Sequence, residues 1–175
     1  RDALLAAEGN RCMIIVRLAR ENEVPALAAI GLDAWEKAVS GVADAQAMRR
    51  VAELSFLSFL RSKWFSVGVI EHGGAIAGWG AREDDDGTIS DLWIEPSMQR
   101  QGLGSALLAD LEERIVAGGF EAAIIRTHAQ NDKAIGFFRK HGYAISSLST
   151  AYAPKLDRDL ESVGMTKMLA EPIVH

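Results

Sequence analysis

The chain has 175 residues, of which 49% are hydrophobic and 25% are charged, a composition that predicts one globular domain. The net charge of −5 excludes the strongly basic surface typical of nucleic-acid-binding domains, and no apolar run is long enough to cross a membrane. The single cysteine, Cys12, cannot form a disulfide within the chain, which favours a cytoplasmic location. We expect residues 1–12 to be a poorly ordered tail, either added or part of an extended start, and residues 13–175 to form a single domain.

Short β-branched runs alternate with longer amphipathic segments along the chain, a pattern that indicates mixed α/β structure. In chain order it predicts a strand at 13–18, helices over 19–40 and 45–64, strands over 66–71, 75–82 and 88–95, and a helix over 102–116. It then predicts a strand over 122–127, a helix over 131–141, and strands over 143–149 and 163–169, with a polar loop over 153–161. We therefore expect about seven strands in a mixed sheet, flanked by about four helices.

The most informative segment runs from Leu92 to Leu108, where a strand ends, a short turn follows, and Gly102 and Gly104 open a strongly amphipathic helix. The first amides of a helix have no partner within it and lie at the positive end of its dipole, so they suit a diphosphate. Gln101 is a poor N-cap, and glycines let a ligand approach the main chain closely. The alternative is that the two glycines only permit a tight turn. The segment lacks the Gly-Lys-Ser/Thr of a P-loop and the G-x-G-x-x-G spacing of a Rossmann fold.

Two motifs and the order of the elements give the chain a family resemblance. Gln99, Gly102 and Gly104 stand at the fixed positions of the Gln/Arg-x-x-Gly-x-Gly/Ala motif with which the GNAT N-acetyltransferase superfamily binds acetyl-CoA. The segment 131–143, Asn-Asp-Lys-Ala-Ile-Gly-Phe-Phe-Arg-Lys-His-Gly-Tyr, resembles a later motif of that family. The resemblance covers nearly the whole chain and implies a GNAT-like α/β fold with a splayed central sheet. It also implies acetyl-CoA as co-substrate and direct acetyl transfer to a primary amine of a small molecule or protein.

The resemblance further implies where acetyl-CoA binds. The strand before the loop would splay from its neighbour and offer its backbone at Leu92, Trp93 and Ile94 to the pantetheine arm. The diphosphate would lie on consecutive amides of the loop and the helix start, namely those of Gln99, Arg100, Gln101, Gly102, Leu103, Gly104 and Ser105.

Four residues of the later motif are implied as further cofactor contacts. Asn131 would reach the cofactor with its side chain while also capping the helix that follows, since a cap uses one side-chain oxygen and leaves the amide group free. Ala134, Phe137 and Phe138 would line the pantetheine and thioester channel. Core packing is the competing role for the two aromatic residues, mainly for Phe137 and partly for Phe138.

Direct acetyl transfer needs a proton acceptor for the amine and a donor for the developing oxyanion, and the leaving thiolate benefits from an acid. The resemblance implies that the backbone N–H of Ile94 is the oxyanion donor. The family's usual Glu base and Tyr acid are replaced here by Thr88 and Phe138. The remaining catalytic candidates are His128, Asp91 and Tyr152.

Each of these candidates has a competing role. Histidine titrates near neutral pH, so His128 could be the base, directly or through water, although a polar residue at a strand end has the same appearance. Asp91 could accept a proton unless it faces a helix, and Tyr152 could supply a hydroxyl near the acceptor. No group of Cys, His, Asp and Glu has the spacing of metal ligands. The acceptor is expected to contact Trp35, the segment joining the first two helices, and the loop 153–161.

An active N-acetyltransferase is the main functional hypothesis. The alternative is an acyl-CoA-binding regulatory module with little or no turnover, motivated by the replaced Glu and Tyr. A purely structural α/β domain is a third reading, which any specific coenzyme A binding would exclude. The family resemblance allows a homodimer paired through the last strands, and the composition favours neither nucleic acid nor a membrane as partner.

Overall fold

The computed structural model describes residues 13–41 and 44–169, so the predicted tail at 1–12 lies outside the described residues. Within these ranges the strands are β1 (Ile14–Leu18), β2 (Gly68–His72), β3 (Ala75–Ala81), β4 (Thr88–Ile89), β5 (Asp91–Ile94), β6 (Ala122–His128), β7 (Ala144–Ala153) and β8 (Arg158–Met168). The α-helices are α1 (Val24–Ala38), α2 (Arg49–Lys63), α3 (Leu103–Ala117) and α4 (Asp132–Lys140). Short 3₁₀ turns lie at Glu21–Glu23, Trp64–Ser66 and Pro96–Met98.

The strand predicted over 88–95 divides at Ser90, and its two halves join different sheets. β4 pairs parallel with β6, whereas β5 pairs antiparallel with β3. The sheet orders are β1-β2-β3-β5 and β4-β6-β8-β7, so β5 is an edge strand among the described residues. The two sheets therefore part between β5 and β6, which confirms the expected splay.

Helices cover both faces of the first sheet. Trp79 of β3 faces α1 and α2: it is fully buried, its indole Nε1–H donates to the carbonyl of Leu27 at 2.8 Å, and the ring of Phe56 meets it edge-on at 5.9 Å. The next residue, Gly80, faces α3, because a Cβ there would lie 2.8 Å from Leu111. No helix of the described residues combines the length and apolar composition needed to cross a membrane.

The prediction of a loop over 153–161 is wrong, because β7 and β8 extend through most of this segment. The two strands pair from Ala144 to Ala153, and only residues 154–157 form the turn between them. Asp157 has a φ of +48° at the end of that turn. Most of β7 is exposed, so its side chains carry no apolar alternation from which the strand could be recognised. Apart from the divided strand over 88–95, the other predicted elements are confirmed with shifted ends; α2, for example, begins at Arg49 after a turn.

Candidate active site

The turn between β5 and α3 is held in shape by its own side chains. The carboxylate of Glu95 accepts from the amide of Ser97 at 2.9 Å, and the side-chain amide of Gln99 donates to the carbonyl of Ile94 at 3.5 Å. Arg100 and Gly102 have φ values of +65° and +78°, both in the left-handed region. Such reversals turn successive N–H groups toward one concave side. We call the main-chain amides of residues 99–105 the amide cradle.

The first turn of α3 leaves its amides free of side-chain partners. Its N-cap, Gly102, offers no capping side chain, and no acidic residue lies in the first turn. A Cβ at Gly102 would meet no atom within 4 Å, so the space in front of the helix is open. A Cβ at Gly104 would instead lie 3.4 Å from the ring of Phe137, so this glycine faces protein. An open, uncapped helix start fits a diphosphate, which would satisfy the free donors.

Strand β5 presents alternate backbone groups to the opening between the sheets. The amide of Glu95 donates to the carbonyl of Ala77 at 2.8 Å, and hydrogen-bonded and non-hydrogen-bonded pairs alternate along an antiparallel ladder. The N–H and C=O groups of Leu92 and Ile94 therefore point away from β3 into the opening. Those of Trp93 point toward β3, which corrects the expectation that its backbone binds the pantetheine arm.

The cap predicted at Asn131 is confirmed, and it also constrains the amide group. Its Oδ1 accepts from the amide of Ala134 at 3.2 Å, and its Nδ2 donates to Oγ1 of Thr127 at 3.2 Å. One of the two amide hydrogens is therefore used within the protein. Sequence reasoning had left the whole amide group free for the cofactor.

The two aromatic residues of α4 have the opposite roles from those expected. Phe138 is 7% exposed and lies in the core, with its ring centroid 5.3 Å from that of Tyr143. Phe137 is half-buried and packs between Gly104 and the ring of His141, 4.4 Å away. Phe137 thus contacts the start of α3, while Phe138 contributes to the core with Ala134 packed against it.

His141 contacts the side chain of Ser105, the last residue of the cradle, and was not nominated from the sequence. Its Nδ1 lies 2.7 Å from the carbonyl of Phe137 and its Nε2 lies 2.8 Å from Oγ of Ser105. A carbonyl only accepts, so Nδ1 carries a proton and Nε2 faces the serine hydroxyl. This contact fixes the orientation of Ser105 in the first turn of α3.

A cavity of about 210 Å³ lies where the end of α1, β5, β6 and the β7–β8 hairpin meet. We call it the hairpin cavity. Its walls are mostly apolar, with Trp35, Trp93, Pro154, Leu156 and Leu160 among the lining residues. Its polar lining consists of Thr127, His128, Asn131, Tyr152, Lys155 and Ser162. The structure thus brings together at one cavity His128, Tyr152, Asn131 and Trp35, which the sequence had nominated separately.

His128 has a defined tautomer at this cavity. Its Nε2 lies 3.1 Å from the carbonyl of Ala38, which can only accept, so Nε2 carries the proton. In the neutral ring Nδ1 is then unprotonated, and it is buried without a hydrogen-bond partner among the described residues. A buried acceptor without a partner is unusual in a folded protein.

The other two catalytic candidates are held by neighbouring side chains. Asp91 is 9% exposed, accepts from Oγ of Ser90 and from Nε1 of Trp93, both at 2.9 Å, and does not line the hairpin cavity. The hydroxyl of Tyr152 donates to Oδ1 of Asp157 at 2.5 Å, a hydrogen bond that raises the pKa of Tyr152 above its ordinary value. Both carboxylate oxygens of Asp91 are therefore engaged by neighbouring side chains, and Tyr152 is a weaker acid than an unpaired tyrosine.

The protein is of the mixed α/β class, and its two sheets part beside an uncapped helix start, an arrangement that suits a phosphorylated ligand. The chain is a member of the acetyltransferase (GNAT) family, whose sequence profile matches residues 15–143.

Two relatives share part of the sequence. Ribosomal protein bS18-alanine N-acetyltransferase of Escherichia coli (strain K12) is 30% identical over 73 residues, which cover 42% of this chain and 49% of that protein. Mycothiol acetyltransferase of Cellulomonas flavigena is 32% identical over 99 residues, which cover 54% of this chain and 26% of that protein. The chain thus matches about half of the first relative and about a quarter of the second.

Solved structures share the fold over nearly the whole chain. The PaiA N-acetyltransferase of Thermoplasma acidophilum, in complex with coenzyme A, gives a TM-score of 0.74 at 14% identity and covers 89% of this chain and 99% of that chain. The ribosomal-protein-S18-alanine N-acetyltransferase of Escherichia coli gives a TM-score of 0.67 at 20% identity, with coverage of 93% and 99%. At these identities the likeness shows a common fold.

Proposed function

We propose that the protein is an N-acetyltransferase that moves an acetyl group from acetyl-CoA to a primary amine of a small molecule or protein. The observation that carries the proposal is the open, uncapped start of α3 beside the outward-facing backbone of β5. Family membership and the two relatives named as acetyltransferases support it.

The chain would bind acetyl-CoA mainly through its backbone. When bound, acetyl-CoA supplies an acetyl group activated as a thioester. The amide cradle would hold the diphosphate, and the outward backbone groups of Leu92 and Ile94 would pair with the pantetheine arm. The N–H of Ile94 would then donate to the oxygen of the reacting carbonyl, where negative charge develops.

The hairpin cavity would bind the acceptor amine. Attack forms a bond from the amine nitrogen to the acetyl carbon and breaks the bond from that carbon to sulfur. The amine proton passes to Nδ1 of His128, directly or through one water, while Nε2 stays bonded to the carbonyl of Ala38. Sulfur leaves as a thiolate, which needs no protein acid at the position of Phe138.

The competing function is an acyl-CoA-binding regulatory module with little or no turnover. It is favoured by Thr88 and Phe138 at the positions of the family's usual base and acid, and by the engagement of Asp91 with its neighbours. This module would use the same amide cradle and would leave the hairpin cavity without a chemical role.

The proposal includes a cytoplasmic enzyme with residues 13–175 as one domain, and a homodimer paired through β7. The main support for the dimer is that β7 pairs only with β8 among the described strands, and that Leu148 on it is 76% exposed. Sedimentation of the purified chain at several concentrations checks the dimer; a monomer throughout would refute it.

Acetyl-CoA and a panel of primary amines provide the test of activity. The expected result is release of coenzyme A together with an acetylated product identified by its mass. Tight acetyl-CoA binding in calorimetry without turnover on any amine would favour the regulatory module. Absence of coenzyme A binding would refute both functions.

A further inference from the structure

Lys155 contributes the only permanent charge on the wall of the hairpin cavity, among the residues that the structure describes. The lining contains no Asp, Glu or Arg, and His128 and Tyr152 are the other titratable groups. Lysine is protonated at neutral pH. The cavity is therefore apolar with one cationic point, an unusual lining for a site that receives an amine.

The ammonium group of Lys155 has no ionic partner among the described residues. None of their ion pairs includes this lysine. Its Nζ instead lies 4.6 Å from the ring centroid of Phe56, and that ring meets Trp93 edge-on at 5.4 Å. A cation–π contact holds an ammonium in position without neutralising it. The charge of Lys155 therefore remains available to an anion. The rings of Phe56 and Trp93 connect it to β5.

The position of this charge bears on the kind of amine that the cavity admits. A free amine substrate is itself mostly a cation at neutral pH, so Lys155 repels a polyamine or another polycation. Asp159 and Glu161 line a separate cavity of about 260 Å³, together with Arg158. Asp157 and Asp91 are engaged by Tyr152 and Trp93 and are not among the lining residues of the hairpin cavity. An acceptor that carries an anionic group beside its amine would satisfy Lys155.

We infer that the acceptor is a small amine that also bears a carboxylate, of the class of amino acids with an apolar side chain. Its carboxylate binds Nζ of Lys155, its apolar part packs against Trp35 and Leu156, and its amine is directed to His128. The hairpin cavity, at about 210 Å³, is smaller than the ~300–1,000 Å³ of a typical drug-sized site, which suits a molecule of this size. The inference rests on the proposed acetyltransferase function and specifies its substrate class.

Pairs of substrates that differ only in the carboxylate provide the test. Apolar amino acids and their carboxamides are compared as acceptors for the wild type and for Lys155→Met, Lys155→Glu and Lys155→Arg. The carboxamide lacks the charged hydrogen bond between the carboxylate and Lys155. We therefore expect the wild type to favour the acid by about tenfold or more in kcat/KM. Lys155→Met should remove the preference, Lys155→Glu should reverse it, and Lys155→Arg should retain it. Arg158→Glu, the same change of charge in the neighbouring cavity, should leave the preference in place.

The outcomes separate this inference from the proposed function. Two results would overturn the carboxylate role and leave the acetyltransferase function standing. One is equal kcat/KM for carboxamides and acids in the wild type. The other is an equal loss of activity on acids and on amides in Lys155→Glu. Acetyl-CoA binding with no turnover of any acid, amide or other amine would overturn both. Lys155→Met keeps an unbranched side chain over Phe56, so it carries the test if the glutamate variant does not fold.

Discussion

The two sides of the candidate active site are built from different parts of the chain. The amide cradle and β5 offer backbone N–H and C=O groups from one continuous segment, 92–105. The hairpin cavity offers side chains from the end of α1, β5, β6 and the β7–β8 hairpin. The first arrangement depends on the φ angles of a few residues, and the second depends on tertiary packing.

This difference between backbone and side-chain groups determines how substitutions affect the ligand that each side binds. A backbone site tolerates almost any side chain except where glycine is needed, so it binds the same ligand across many sequences. A side-chain site changes its preferred ligand with a single substitution, such as one at Lys155. A domain of this design can therefore keep the same acetyl donor while the amine that it accepts varies between sequences.

The largest effect is expected at the amide cradle, for Gly102→Val. The φ of +78° at this position is disfavoured for a β-branched residue, and a Cβ would project into the open space where the diphosphate is expected. Losing two charge-assisted hydrogen bonds should weaken acetyl-CoA binding by about a thousandfold. Calorimetric titration with acetyl-CoA measures this change.

Gly74→Val is the matched control for the cradle variant. Gly74 has a φ of +84° and equally open space, but lies in the turn between β2 and β3. Both variants should lose similar thermal stability, and only Gly102→Val should lose binding. Equal loss of binding in the two variants would mean that strain, rather than the cradle, explains the result.

The second largest effect is expected for a change to the proposed base at the hairpin cavity. His128→Gln keeps a donor for the carbonyl of Ala38 and removes the unprotonated Nδ1. We expect kcat/KM to fall by about a hundredfold, at the low end of what a general base contributes.

Asp91→Asn provides the comparison for the histidine variant. Both carboxylate oxygens of Asp91 are held by Ser90 and Trp93, and Asp91 does not line the cavity, so kcat/KM of this variant should stay close to that of the wild type. A fall in kcat/KM for Asp91→Asn with none for His128→Gln would assign the base to the aspartate.

The sequence predicted the local structure of the amide cradle better than the packing around the hairpin cavity, because local spacing specifies the first and tertiary contacts determine the second. Gly102 and Gly104 open a helix after a strand and a short turn, and local spacing alone predicts free amides there. The roles of Phe137 and Phe138 depend on how α4 turns against α3, which spacing does not specify. The loop containing Lys155 was expected to contact the acceptor, but the residue itself was not singled out, because only the pairing of β7 with β8 brings its turn over Phe56.

A third prediction separates the two sides by filling the hairpin cavity. Ala151 of β7 lines this cavity, so Ala151→Leu should occupy part of its volume and raise KM for the acceptor by about tenfold. The affinity for acetyl-CoA should not change. Ala144→Leu, an exposed position on the same strand outside the cavity, should affect neither value. Steady-state kinetics with each substrate varied in turn measures both, and a raised KM for acetyl-CoA would show that the two sides overlap.

The smallest effect is expected for the hydroxyl of Tyr152. Its hydrogen bond to Asp157 raises the pKa of Tyr152, so the hydroxyl holds its proton more tightly and donates poorly to a leaving thiolate near neutral pH. Tyr152→Phe should therefore change kcat by less than about threefold and leave the alkaline limb of the pH profile in place. Asp157→Asn weakens the same hydrogen bond to a charged group, so it should lower the pKa of Tyr152 without raising kcat. A loss of about a hundredfold in Tyr152→Phe would instead identify this tyrosine as the acid that the buried Phe138 cannot supply, and the acceptor side would then carry both proton transfers.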